Sequence, residues 1–256
     1  MKLEKTINKN LDYKIKEAID IYYLAYSGGK DSDVLLHIAR RSGVNFQAVH
    51  NFTSISHKEQ RKHVKEQKGV KIIQPKKTFY KLVEEKGLPT RFRRWCCGVL
   101  KHDYGKGKIT MTGVRKSESV ARAKRAKEHT EFGAKGINKK IRSVLPLLNF
   151  TDSDIYAYID LHNIKLCKLY SMGYKRVGCV GCPLANLKQR RNDFSHSPNI
   201  KKAIERSFEK YMNKNKTEGH KRVKETFKTG KNGVDWWLSG LSIKQWQFEQ
   251  SKKSLF

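Results

Sequence analysis

The sequence predicts an α/β fold: a doubly wound, mostly parallel sheet with helices on both faces, followed by a basic helical C-terminal extension. Three observations carry this. Short apolar runs bounded by turn residues alternate with stretches of helical spacing through the first part of the chain. One apolar run ends in two adjacent glycines and passes directly into a helix start. Beyond about residue 183 the strand signals stop, and basic amphipathic stretches take over.

In order along the chain, Ile7, Leu11, Ile15, Ala18 and Ile19 share one side of a lead-in helix over 4–20. Residues 21–26 (Ile-Tyr-Tyr-Leu-Ala-Tyr) read as a short buried strand, and Val34, Leu35, Ile38 and Ala39 line one face of a helix over 33–40. Residues 45–52 give a second strand, and 57–68 a very polar helix closed by Gly69. Val70–Ile73 is a third strand ended by Pro75, and 78–86 a short helix ended by Gly87. Residues 108–112 form a fourth strand; 123–140, polar and glycine-containing, read as a mobile loop; 144–148 return to the core. Thr151 caps a helix running to about His162, with Asp152 and Asp154 suited to its dipole. Ser197 and Pro198 open a basic helix over 199–213, with Ile200, Ala203, Ile204, Phe208 and Met212 facing inward. Residues 214–231 are charge-rich, and Trp236, Trp237 and Trp246 are the aromatic anchors of this end.

The 256 residues contain 55 Lys and Arg against 24 Asp and Glu, a formal charge of +31. Such an excess implies an anionic partner, nucleic acid first; the alternative is a merely solvated basic surface. No run approaches the ~20 apolar residues of a membrane span. The charged start has no apolar region after it, so a cytoplasmic protein is expected. In that compartment five cysteines suggest a metal or reactive thiols rather than disulfides.

The chemistry begins at Ser27-Gly-Gly-Lys-Asp-Ser32. A strand, a glycine turn and a helix N-terminus present free backbone N–H groups and the positive end of a helix dipole to one point. Lys30 adds a full charge and Ser27 and Ser32 add hydroxyls, which makes an anion cradle. The spacing is not that of the common phosphate loop, which needs four residues between its first Gly and its Gly-Lys-Ser/Thr ending. Because ligands of open parallel sheets bind beyond the carboxyl ends of strands, Asn51, Phe52 and Thr53 are expected to border the same ligand or to be plain turn residues. Cys96 and Cys97 are adjacent, and Cys179 and Cys182 form a Cys-x-x-Cys. Four thiolates fixing two loops suit tetrahedral zinc or a cubane iron–sulfur site. Cys167 stands outside that pattern and reads as packing.

The loop Ser27-Gly-Gly-Lys-Asp-Ser32 resembles the pyrophosphate loop of the adenine nucleotide α-hydrolase-like enzymes. The Cys-Cys…Cys-x-x-Cys set resembles the iron–sulfur form of the phosphoadenylyl-sulfate and adenylyl-sulfate reductases, whose four cysteines hold a [4Fe–4S] cluster. Gly113-Val-Arg-x-x-Glu-Ser119, Leu145-Pro-Leu-Leu…Thr151-x-x-Asp-Ile-Tyr and Leu169-Tyr-Ser-Met-Gly-Tyr…Cys179 are similar to further segments of that family, over roughly residues 20–185. The resemblance implies a Rossmann-like sheet in a domain over 1–182, with 183–256 as the basic extension. It implies an adenine nucleotide held by Ser27, Gly28, Gly29, Lys30, Asp31, Ser32, Asn51, Gly113, Arg115 and Glu118, with Lys30, Asp31 and Arg115 in catalysis. Arg94, Lys101 and Arg122 would grip acceptor or phosphates. Cys96, Cys97, Cys179 and Cys182 would hold the [4Fe–4S] cluster, with zinc as the alternative.

Two departures qualify the resemblance. No cysteine follows Cys182 to serve as the reductases' tail nucleophile, and Lys30 completes an ATP-type loop that those reductases usually lack. Together they favour ATP with Mg²⁺, adenylation of an acceptor with pyrophosphate release, and sulfur transfer to nucleic acid or another acceptor with the help of a sulfur-donor protein. The rival expectation is a sulfonucleotide reductase using an external thiol.

Overall fold

The computed structural model of the chain describes residues 21–102, 109–125, 129–132, 141–214 and 218–253; the helix expected over 4–20 lies outside them. In chain order the elements are β1 (Tyr22–Ala25), α1 (Lys30–Arg41), β2 (Phe46–Asn51), α2 (Lys58–Glu66), β3 (Val70–Ile73), α3 (Phe79–Lys86), β4 (Ile109–Met111), α4 (Val120–Arg125), β5 (His129–Phe132) and β6 (Ile141–Val144). Then follow α5 (Asp152–Leu161), α6 (Leu187–His196), α7 (Pro198–Met212), α8 (Glu218–Thr226), α9 (Gly230–Ser239) and α10 (Ile243–Lys253). A short helical stretch, Trp95–Cys97, continues as a π-helical turn, Gly98–His102.

Contacts divide the chain into two compact units that interleave in sequence. The first holds the described residues of Met1–Phe52, Lys58–Gln74 and His102–Gly178; the second holds Thr53–His57, Pro75–Lys101 and those of Cys179–Phe256.

The first unit is the sheet, in the order β3-β2-β1-β4-β6-β5. All neighbours are parallel except β5 against β6. The fold is the α/β, Rossmann-like sheet the sequence predicts. Its core joins Leu24 of β1 and Met111 of β4 to Val34, Leu35 and Ile38 of α1 and Ile155 of α5. The chain leaves β1 towards β2 and β3, then returns to β1's other side as β4. Direction reverses there, and such a switch point opens a crevice beyond the strand ends. The 27–32 loop and the segment from Gly113 lie at it.

Two expectations are corrected. Helix α1 starts at Lys30, three residues before its apolar spacing begins, because Gly29 is already extended and caps it. The expected loop over 123–140 instead holds the end of α4 and the edge strand β5, while 126–128 and 133–140 lie outside the described residues. Cross-strand pairing with β6 builds β5 despite its polar composition, since β propensity yields to pairing context.

The second unit is helical. Its core gathers Phe79, Leu82 and Val83 of α3 with Ile204, Phe208 and Met212 of α7 and Phe227, Val234, Trp237 and Trp246. The inward face predicted for the 199–213 helix is thus observed, and Pro198 takes the first helical position, where its missing N–H costs nothing. The charge-rich 214–231 stretch contains α8, and α6 and α10 carry too little apolar periodicity for sequence alone to find them.

Candidate functional site

Two groups of residues carry chemistry, one in each unit. In the sheet unit, Gly28 has φ +76°, and a Cβ there would stand 2.9 Å from Val64 Cγ2 of α2. The turn therefore needs glycine both for its conformation and for its packing. The Ser32 hydroxyl accepts the Gly29 N–H at 3.1 Å, donates to the Gly29 carbonyl at 2.8 Å, and receives the Ser27 hydroxyl at 3.1 Å. From beneath, the Gln60 side-chain amide donates to the Ser27 carbonyl at 2.7 Å. Asp33, buried, accepts the Tyr26 hydroxyl at 2.5 Å and meets His63 Nε2 at 3.0 Å. Burial first, and Asp33 next, push the Tyr26 hydroxyl far above its ordinary pKa, so it remains a donor. These contacts tie the loop to itself and to α2.

At the mouth of the loop, Lys30 Nζ lies 3.2 Å from Asp31 Oδ1 and 3.0 Å from Asp152 Oδ1. Arg115, only 2 % exposed, donates from Nε to Asp31 Oδ1 and from Nη2 to Asp152 Oδ1, both at 2.7 Å. Two cations and two carboxylates thus form a closed ring. Hydrogen bonds from Lys30 and then Arg115 hold the Asp152 carboxyl below the usual carboxylate range, although its side chain is 68 % exposed. The Lys30 backbone N–H, one of the free donors of the helix start, donates to the Tyr170 hydroxyl at 2.8 Å. Burial raises that hydroxyl's pKa. Gly113 lets β4's end approach: a Cβ there would lie 3.1 Å from the Asp31 carbonyl oxygen.

Of the residues singled out from sequence, Ser27, Gly28, Gly29, Lys30, Asp31, Ser32, Gly113 and Arg115 come together here. Glu118 is adjacent but locally engaged, accepting the Arg115 backbone N–H at 3.3 Å and pairing with Arg122. Burial and then Arg176 lower the Arg122 pKa. Asn51 ends β2, and the Ala25↔Val49 register puts it level with Ser27. Sequence reasoning missed Asp152 and Tyr170 as members of the loop's surroundings. Asp152 was legible only as a residue favouring a helix start, and Tyr170 only as part of a similar segment.

The second unit holds all four paired cysteines. Cys96, Cys97, Cys179 and Cys182 line one pocket with Thr53, Phe79, Lys101 and Trp237. Backbone ties the Cys-x-x-Cys loop to the segment after β2: Val180 N–H donates to the Ile55 carbonyl at 2.8 Å, and Ser56 bridges to Cys179. The Cys179 thiol donates to the Thr53 hydroxyl at 3.4 Å, so Thr53 belongs with the cysteines. A hydrogen bond with Cys97 and then burial push the Cys96 thiol far up, and burial raises Cys182. The negative potential of Cys179, helped by Cys97 and Cys182, raises Lys101 above the ordinary lysine value. Lys101 and Arg94 are both exposed, but only Lys101 lines the cysteine pocket. Cys167 is buried beside Leu169, Tyr174 and Val177.

Among the described residues no three His, Cys, Asp or Glu side chains stand close enough to hold a single metal ion. The donor set nevertheless suits a larger thiolate-ligated group: four cysteines around one pocket, with the Lys101 side chain in its lining. Among the described residues no helix is long and apolar enough to cross a membrane.

Residues 21–185 match the phosphoadenosine phosphosulfate reductase domain family. The chain is 29 % identical over 219 residues to an uncharacterized protein of Methanocaldococcus jannaschii, covering 80 % of this chain and 43 % of that protein. It is 27 % identical over 176 residues to the adenosine 5′-phosphosulfate reductase of Oceanobacillus iheyensis, 64 % of this chain and 71 % of that one. The chain thus spans less than half the length of that archaeal protein and of a second uncharacterized protein of the same organism, 43 % of each. Among solved structures it resembles the phosphoadenylyl-sulfate reductase of Candida auris in a phosphate complex (TM-score 0.50, 16 % identity, 68 % of this chain and 87 % of that one). It also resembles the FMN adenylyltransferase of Candida glabrata with FMN and an ATP analogue (TM-score 0.53, 15 % identity, 70 % and 63 %). At such identities the likeness concerns the fold.

Proposed function

The chain belongs to the phosphoadenosine phosphosulfate reductase domain family, and from that membership we propose that it is an ATP-dependent adenylating enzyme that prepares an acceptor, nucleic acid first among candidates, for sulfur transfer. The observation that carries this reading is the convergence of Lys30 and Arg115 on one oxygen of Asp152, at 3.0 and 2.7 Å. That oxygen stands in for an anionic phosphate oxygen: two fixed cations reach it beside a helix N-terminus, the arrangement that a terminal pyrophosphate needs.

In this reading the phosphates of ATP replace Asp152 on Lys30 and Arg115, and the Lys30 N–H exchanges the Tyr170 hydroxyl for a phosphate oxygen. Asp31 would hold Mg²⁺, which neutralises charge on the leaving pyrophosphate. An acceptor oxygen attacks the α-phosphorus; the bond from the α-phosphorus to the bridging oxygen breaks, and pyrophosphate departs with the electron pair. The acceptor is now an adenylate ester. A nucleophile of the sulfide class displaces AMP, forming the carbon–sulfur or phosphorus–sulfur bond as the acceptor's oxygen leaves with AMP. Cys96, Cys97, Cys179 and Cys182 would hold an iron–sulfur cluster, which when bound supplies iron able to carry sulfur or electrons. The charge of +31 supports a polyanionic acceptor.

Pyrophosphate release from ATP·Mg, assayed across DNA and RNA substrates with wild type and Lys30→Ala, tests the reading. Release that depends on Lys30 supports it. Preferential binding of phosphoadenylyl sulfate over ATP·Mg, without pyrophosphate release, would establish the rival sulfonucleotide reductase.

A further inference from the structure

Helix α6 begins five residues after Cys182, and no motif of the sequence assigns it a task. It is fastened to the cysteine loop. Asp193 Oδ2 accepts the Gly181 N–H at 2.9 Å, and the Phe194 ring fills the space over Gly181, where a Cβ would lie 2.4 Å from Phe194 Cζ. Arg190 precedes these two by three and four positions, so it shares their helix face. It is 6 % exposed, and its guanidinium carbon lies 4.4 Å above the ring of Trp237, a wall of the four-cysteine pocket. Its Nε and Nη2 have no hydrogen-bond acceptor. Burial holds its pKa down to about 10, and Cys182 and Asp193 are the negative groups that act in the other direction. Asp193 is shared among Gly181, Gln189 and His57. A buried cation with orphaned donors is costly and marks a missing acceptor.

We propose that Arg190, buried behind the pocket wall at Trp237, is a built-in counter-cation for the group that the four cysteines hold, with its unpaired Nε–H and Nη2–H as the donors available to that group. The proposal rests on reading Cys96, Cys97, Cys179 and Cys182 as an iron–sulfur site. Donors to cluster sulfur and a fixed positive charge favour the more negative, reduced state, and such outer partners tune the potential. Arg190 is a positioning residue and takes no part in bond making.

The test reads potential rather than turnover. Wild type, Arg190→Gln and Arg190→Lys are loaded anaerobically with ferrous iron and sulfide. Each is titrated with dithionite, one electron per cluster, and followed by electron paramagnetic resonance. Removing the guanidinium makes reduction harder: Arg190→Gln moves the midpoint to more negative potential by about tenfold in the reduction equilibrium, ~59 mV for one electron. Arg190→Lys, which keeps charge but loses the planar fork, moves in the same direction by less. If Arg190→Gln fails to fold, the lysine variant carries the comparison. A potential unchanged from wild type in the loaded variants overturns the role of Arg190. Wild type that takes up no iron and sulfide overturns the cluster reading itself, and the proposal with it.

Discussion

The Arg115 guanidinium donates to the Asp152 carboxylate at 2.7 Å across 37 positions of sequence, and so neutralises a cation beside the 27–32 loop. On the proposed reading Asp152 competes with phosphate for that cation. Asp152→Asn is expected to tighten binding of inorganic pyrophosphate several-fold in the absence of Mg²⁺, because charge-assisted hydrogen bonds of about 1.5–3 kcal/mol no longer have to be exchanged. Calorimetric titration reads this directly; equal or weaker binding would show that the carboxylate does not compete.

The same group sets a pH dependence. Its pKa is depressed in the folded protein, Lys30 being the first cause and Arg115 the second. A depressed carboxyl contributes stability above its unfolded value, about 3.9, and loses it as pH falls through the folded value. The stability difference between wild type and Asp152→Asn, measured by denaturant unfolding, should therefore hold steady from about pH 5 to 8 and vanish in stronger acid. Exposure keeps that difference small.

Lys30→Ala removes one arm of the cradle and leaves Asp31 to Arg115. ATP affinity should fall roughly 10- to 100-fold, the worth of one or two charge-assisted bonds. Thermal unfolding should shift far less than binding. A loss of the folded state instead would mean that Lys30 is there to neutralise buried charge.

How far the sequence was readable depends on how local the cause is. The strand and glycine turn are written in neighbouring residues and stand where the spacing puts them, while the helix that follows starts three residues earlier, at Lys30. The four cysteines identify themselves by type and spacing. Asp152 does not, because its partners lie 122 and 37 positions away and its own neighbourhood explains it as a helix-start residue. Gln60, His63 and Arg190 were invisible for a different reason. Each is polar in a polar helix, and periodicity rules equate polar with exposed, whereas here the buried face is the polar one. The edge strand β5 was lost because pairing, not composition, makes it.

Gly181→Ala places a methyl group against the Phe194 ring at a residue whose φ is +68°. Left-handed strain of about 1–3 kcal/mol and comparable overpacking should both appear. Denaturant unfolding should show the loss, and iron loaded onto the cysteines should be surrendered faster to a chelator. Unchanged retention would separate α6 from the integrity of that pocket.

If the acceptor is nucleic acid, its affinity should fall steeply between about 50 and 200 mM salt, as counterion release requires. A flat salt dependence in an electrophoretic shift assay would assign the basic surface to solubility alone.

The interleaving of the two units has a practical meaning for dissection. The chain passes from one unit to the other after residues 52, 57, 74, 101 and 178, so no single cut yields two intact pieces. A truncation that keeps everything through Cys182 would retain all four thiols yet strip away Trp237, Arg190 and the helices that pack around them. The stretch after Cys182, which looks like a detachable tail on paper, supplies Trp237 to the wall of the cysteine pocket, so on the proposed reading shortened versions would be expected to lose iron binding at the cysteines before nucleotide binding at the 27–32 loop.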